Sequence, residues 1–179
     1  MKTLTTIAVS TIAILALATT AFAQAAWLKA DHKMNGNRVR SNQRHGRAQA
    51  QTLYHATQAP MTQAPKPVPK DDLRELVASI RKDLEASNKA LARLESEFGK
   101  VKEATALFES IKKHNAQVAK DCEACEKACE KPDADNVTIA ENAADIYYEL
   151  EEAEADAEKL LKALKIEDLE APKKPTKKK

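Results

Sequence analysis

Between Asp71 and Leu164 the residues that can line a core return at alternating steps of three and four, in three separate runs. The first is Val77, Ile80, Leu84, Ser87, Leu91, Leu94 and Phe98, followed at once by Gly99. The second is Val101, Ala104, Phe108, Ile111, Asn115, Val118, Cys122, Cys125 and Cys129, followed by Pro132 and the Asp-Ala-Asp-Asn after it. The third is Ile139, Ala143, Ile146, Leu150, Ala153, Ala157, Leu160 and Leu164, with no polar residue in it. Steps averaging about 3.5 lay a single stripe along an α-helix, whereas a strand, alternating every second residue, would split each set between two faces.

The expected fold class is therefore all-α. Helices are predicted at about 71–98, 100–131 and 136–166, packed as an antiparallel three-helix bundle in which each buries its stripe against the other two. Three glycines and 4% aromatic residues in 179 fit long helices with small-residue seams better than sheets. Phe98, Val101 and Ala104 are two successive steps of three, so the register breaks at Gly99 and a turn is expected there, with the glycine closing the first helix. The competing architecture is one continuous helix from Asp71 to Lys131, kinked at Gly99 and paired with a second copy as a coiled coil, since a lone helical glycine costs only about 1 kcal/mol. Asp71 and Asp72 stand where they can cap the first helix and meet its positive end.

The N-terminus follows different rules. Lys2, an apolar run from Ile7 to Ala18 and the small-x-small triplet Ala21-Phe22-Ala23 make residues 1–23 a secretory signal peptide cleaved after about Ala23. The apolar run falls short of the roughly 20 residues of a membrane-spanning helix, and the next cysteine is Cys122, so the mature chain is expected without a transmembrane segment or lipid anchor, periplasmic or secreted.

Charge is segregated along the chain. Residues 24–70 hold eight Lys or Arg and three His against the single acid Asp31; with Gln, Ala and Pro but almost no periodic apolar residues, they are predicted to be a disordered basic arm. Residues 71–172 carry 15 basic against 26 acidic side chains, so the bundle, taken as 71–169, is acidic. Residues 170–179 end in five lysines with two prolines, a basic tail also expected to be disordered. Two basic ends suit anionic envelope polymers or lipid surfaces, and in an exported protein these fit better than nucleic acid; the bland alternatives are that the ends only solubilise, or fold back on the acidic bundle.

All three cysteines fall in the second run. Successive residues advance about 100° around a helix, so His114, Val118, Cys122, Cys125 and Cys129 share one stripe while Glu123, Glu126, Lys127 and Glu130 take the outer face. The stripe points at the other helices, which makes the thiols candidates for simple core lining. The same spacing allows Cys122, Cys125 and Cys129 to hold one soft ion, Cu(I) or Zn(II), although no cofactor is required. His114 sits about 12 Å along the axis from Cys122, a neighbour and not a ligand. A Cys-x-x-Cys disulfide within one helix has poor geometry, so oxidation would more readily link two chains as a homodimer.

The piece Val118-Ala-Lys-Asp-Cys-Glu-Ala-Cys-Glu-Lys-Ala-Cys resembles the last helix of the cytochrome c-prime proteins, where a Cys-x-x-Cys-His run holds haem. Here Glu126 stands at the histidine position, so covalent haem attachment is not expected. His32, His45 and His55 lie 13 and 10 residues apart in the basic arm and can be imagined collecting a metal. The Asn136-Val-Thr sequon belongs to a chain whose leader looks bacterial, so its glycosylation is not expected. There is no Gly-rich phosphate loop and no plausible Ser-His-Asp set, which argues against an enzyme. The functional expectation is an exported, non-enzymatic helical bundle with a structural or interaction role at the cell envelope, the alternatives being a soft-metal-binding protein and a thiol-redox or disulfide-linked dimer.

Overall fold

The computed structural model describes residues 3–58, 69–130 and 135–166, with side chains in the first helix from Trp27 onward. Four helices span them: α1 (Thr3–Thr57), α2 (Lys70–Phe98), α3 (Lys102–Glu130) and α4 (Asn136–Ala163), with no strand among the described residues. The basic tail 170–179, most of the Pro-rich spacer and Pro132 lie outside the described residues.

The three predicted helices form nearly where expected, and the break at Gly99 is a hairpin, not a kink. Gly99 closes α2 by donating its N–H to the Glu95 carbonyl at 2.7 Å, but in a right-handed conformation (φ −61°, ψ −14°), so left-handed freedom is not what the position uses. Pro69 occupies the N-cap of α2, and Asp71 and Asp72 fall in its first turn, where they act on the helix dipole and not as caps. At α4 Asp135 is a true cap, accepting from the Thr138 backbone N–H at 3.1 Å and its hydroxyl at 2.8 Å.

The expectations of three helices and a disordered arm are both corrected by α1. Residues 27–57, assigned to that arm, are helical and packed between α2 and α4. Each helix meets two neighbours, α1 against α2 and α4, and α3 against α4 and α2. The cross-links run in opposite chain directions at every interface: His32 with Glu97 and then His45 with Asp83, Arg81 with Glu126 and then Asn88 with Asn115, Ser110 with Asp156 and then His114 with Glu149, Arg44 with Glu154 and then Arg47 with Glu151. The result is an antiparallel up-down-up-down four-helix bundle.

Why α1 escaped prediction is visible in its seam. The positions facing the bundle are His32, Gly36, Val39, Gln43, Gly46, Ala50 and Leu53, a regular heptad of steps of four and three. Only Val39, Ala50 and Leu53 are buried apolar residues. The glycines are instead places of close approach: a methyl at Gly36 would run into Leu161, and one at Gly46 would lie 3.2 Å from Leu150 Cδ1. Small residues here let α4 project large ones across the interface, so the period is present while its hydrophobicity sits on the partner.

The core divides in two. One apolar cluster joins Leu53, Leu73, Val77, Ile80, Val118, the three cysteines, Ile139 and Ile146; the other joins Val39, Leu91, Leu94, Phe108, Ile111, Ala157 and Leu160. Between them each of three helices inserts one buried polar side chain, Gln43 from α1, Ser87 from α2 and Asn115 from α3. Asn115 donates to Asn88 at 2.7 Å. Gln43 is 1% exposed and neither of its amide atoms has a hydrogen-bond partner among the described residues. An unmatched buried polar group costs about 1–3 kcal/mol, so Gln43→Leu is expected to raise the melting temperature by about 3–6 °C in thermal unfolding followed by circular dichroism. A lower melting temperature would mean that the layer stabilises the bundle as well as setting its register.

Candidate functional site

The heptad carries Cys122, Cys125 and Cys129 to the innermost face of α3, all three free and 0% exposed. They belong to the first apolar cluster, with Leu73, Val77 and Ile80 of α2, Ile139 and Ala143 of α4, and Leu53 of α1. Burial pushes the Cys122 and Cys125 thiols up from 9.0 to about 12, because a thiolate there would lose its hydration with little to replace it. Arg81 opposes the shift at Cys122, but its guanidinium is already held by Glu126 at 2.7 Å. Cys129 is pushed up by the same burial, against the pull of Arg74 and Lys70. Among the described residues the only hydrogen bond at these sulfurs is a long one, Cys125 to the Ile139 carbonyl at 3.9 Å.

A thiol in this setting packs as a small apolar core residue, and burial favours its protonated form. Among the described residues no three His, Cys, Asp or Glu side chains converge as a ligand set for a metal ion. His114 Nδ1 meets Glu149 of α4 at 2.6 Å.

The arm histidines do not converge. His32 pairs with Glu97 and packs edge-on against Phe98, His45 pairs with Asp83 at 2.5 Å, and His55 lies against Tyr54. Strung along one helix over 23 residues, they cannot share an ion. His32 and His45, through their separate partners, are rungs between α1 and α2.

The polar chemistry of the molecule gathers instead on α1. Arg44 donates to Glu154 at 2.8 Å, and Arg47 reaches both Glu151 and Glu154 at 3.2 Å while its guanidinium lies 5.6 Å above the Tyr147 ring. Basic α1 thus lies on the acid-rich faces of α2 and α4, the fold-back that charge segregation had allowed as a bland alternative. Lys29 and Arg38 of α1 are exposed.

Two buried carboxyls behave oppositely. Burial raises Asp121, and Asp145 and Glu149 add to that, against one hydrogen bond from Gln117 at 2.9 Å. Burial also acts to raise Asp156, but hydrogen bonds from Lys159 at 2.7 Å and Ser110 at 2.6 Å outweigh it and hold the group below the usual carboxylate range.

Sequence reasoning missed Gln43, Arg44 and Arg47 as structural residues. The signal that marks them is the heptad itself, read over small and polar residues as well as apolar ones. Among the described residues no helix is long and apolar enough to cross a membrane. No family model matches the chain, and no curated protein or solved structure matches it either.

Proposed function

We propose that this chain is an exported, non-enzymatic four-helix bundle that acts by binding, with a structural or interaction role at an anionic surface of the cell envelope. The observation that supports this reading is α1: a helix that spends Arg44 and His45 on the acidic bundle and leaves Lys29 and Arg38 exposed. The five lysines of the C-terminal tail add to the same charge. Such contacts work by counterion release and are screened within about 10 Å at 0.1 M salt.

The test is retention of the mature chain on vesicles containing an anionic lipid and on an anionic wall polymer, across a salt series. Retention should fall steeply with salt, and fall further when the five tail lysines are removed or when Lys29 and Arg38 are changed to Gln. Retention indifferent to salt and to both changes would overturn the reading.

The soft-metal alternative, Cu(I) or Zn(II) on Cys122, Cys125 and Cys129, fits the geometry less well. Loading would require removing protons from thiols pushed up to about 12 and admitting an ion into an apolar cluster.

A further inference from the structure

The up-down topology sorts charge between the two ends of the bundle. Antiparallel order brings the start of α1 beside the end of α2, the start of α3 and the end of α4, as the His32–Glu97 pair marks. Within 27–34, 97–103 and 160–166 the exposed lysines are Lys29, Lys100, Lys102, Lys162 and Lys165, and the exposed acids are Glu97, engaged by His32, and Glu103. Residues 167–179, which follow α4 from this end, add five lysines against three acids. At the opposite end, among the described residues of 50–57, 69–75, 123–130 and 135–141, the balance reverses: Asp71, Asp72, Glu75, Glu123, Glu130 and Glu141 are exposed against Arg74 and Lys127.

The basic end is also where exposed apolar side chains gather. Trp27 is 66% exposed, and Leu28 and Met34 are exposed beside it. Trp27 and Met34, seven residues apart, share a face of α1 turned away from the seam of His32, Gly36 and Val39. At 1.5 Å per residue Trp27 stands about 7 Å past the level of the His32–Glu97 pair, which closes α2, so it projects from the end of the bundle and not from its side.

Lysines alone suit any polyanion, and apolar side chains alone suit any apolar surface. An anionic wall polymer would satisfy the lysines and leave Trp27, Leu28 and Met34 in water. The boundary of an anionic bilayer satisfies both, since indole rings settle at head-group level and lysines meet the phosphates there. We propose that the protein docks end-on to an anionic lipid bilayer: Trp27, Leu28 and Met34 enter the head-group region, Lys29, Lys100, Lys102, Lys162 and Lys165 face the phosphates, and the acidic end points away into solvent. This docking rests on the anionic-surface reading above and narrows it to one surface and one end of the molecule.

Trp27 is the chain's only tryptophan, so its fluorescence reports on this end alone. With the full mature chain, vesicles of phosphatidylglycerol and phosphatidylcholine should shift the emission to the blue and protect it from acrylamide, phosphatidylcholine vesicles should do neither, and added salt should reverse the change. In cosedimentation Trp27→Ala, and separately Lys100→Gln with Lys102→Gln, should each weaken vesicle binding about tenfold. Glu75→Gln with Glu141→Gln should leave it unchanged, because the far end lies about 40 Å away, well outside the screening length at 0.1 M salt. All these side chains are exposed, and circular dichroism should show the variants folded. Emission unmoved on vesicles that retain the chain, or full retention of Trp27→Ala, would overturn the docking while the anionic-surface reading stands. An equal shift on phosphatidylcholine alone would mean apolar partition without charge selection, and a shift that grows with protein concentration in the absence of lipid would make a second copy the occupant; either also overturns it. If neither vesicles nor wall polymer retain the chain, the anionic-surface reading falls and the docking falls with it.

Discussion

In the folded protein at pH 8, Cys122 and Cys125 will react with iodoacetamide about a thousandfold more slowly than the same thiols in urea. The thiolate is the reacting species, and a shift from 9.0 to about 12 lowers its population by about three powers of ten before any steric protection is counted. The labelling rate of the folded protein should therefore rise about tenfold per pH unit above pH 9, where that of the unfolded chain levels off, as followed by mass spectrometry. The same shift has a consequence for stability, with a definite sign. Below pH 9 the thiols are protonated in both folded and unfolded chains and contribute no pH dependence. Above it the unfolded chain releases these protons while the folded chain keeps them, so stability is lost as pH rises toward 12, at about 1.4 kcal/mol per pH unit for each such thiol. Replacing both by Ala should flatten that alkaline decline, at the cost of a small cavity. Cys122→Ser should cost about 1–3 kcal/mol at neutral pH, because it sets a hydroxyl in an apolar cluster. Added Zn(II) or Cu(I) should leave the melting temperature of the reduced protein unchanged; a rise would mean that the native state binds the ion and would restore the metal alternative.

A chain beginning at Asp71 will not survive as a folded monomer. Sequence alone suggests the reverse, a protease-resistant core from Asp71 to about Leu169 with a dispensable arm. With α1 in place, Leu53 and Ala50 are fully covered against the α2, α3 and α4 residues of one cluster, and Val39 plays the same part in the other. Deleting one large buried side chain costs about 2–5 kcal/mol, and a domain of this kind has about 5–15 kcal/mol in all. Removing the whole helix takes three buried apolar residues and the Arg44–Glu154 and His45–Asp83 pairs together, and bares Ile139, Ile146 and Leu160. The truncated chain should be largely unfolded, or associate through the uncovered face, in circular dichroism and analytical ultracentrifugation. Limited proteolysis of the intact protein should likewise spare 27–57. A cooperative monomeric melt of residues 71–169 close to that of the full chain would refute the four-helix core.

The three helices that sequence patterning found are those whose apolar stripe lies on the helix itself. Leu84, Ile111 and Ile146 announce a buried face wherever they recur at heptad spacing, since each removes its own surface from water. The cysteines were placed correctly for the same reason: once Phe108, Ile111 and Val118 defined the stripe, Cys122, Cys125 and Cys129 had to continue it. Whether such thiols meet an ion or only one another's apolar neighbours depends on what the opposing helices bring, and no spacing within α3 contains that information.

α1 marks the boundary of what the chain alone decides. Its composition is that of a flexible basic segment, and its own seam of Gly36, Gln43, Gly46 and Ala50 holds little to bury. It becomes the fourth helix because Leu150 and Leu161 of α4 fill the space its glycines leave, and because Asp83, Glu97, Glu151 and Glu154 supply the counter-charges its His and Arg lack locally. Heptad period, helix ends and charge segregation were legible in the sequence because they are properties of neighbours along it. The fourth helix, the Gln43–Ser87–Asn115 layer and the basic, apolar end of the bundle were decided by the tertiary structure, because each is made of residues far apart in the chain whose partners only packing selects.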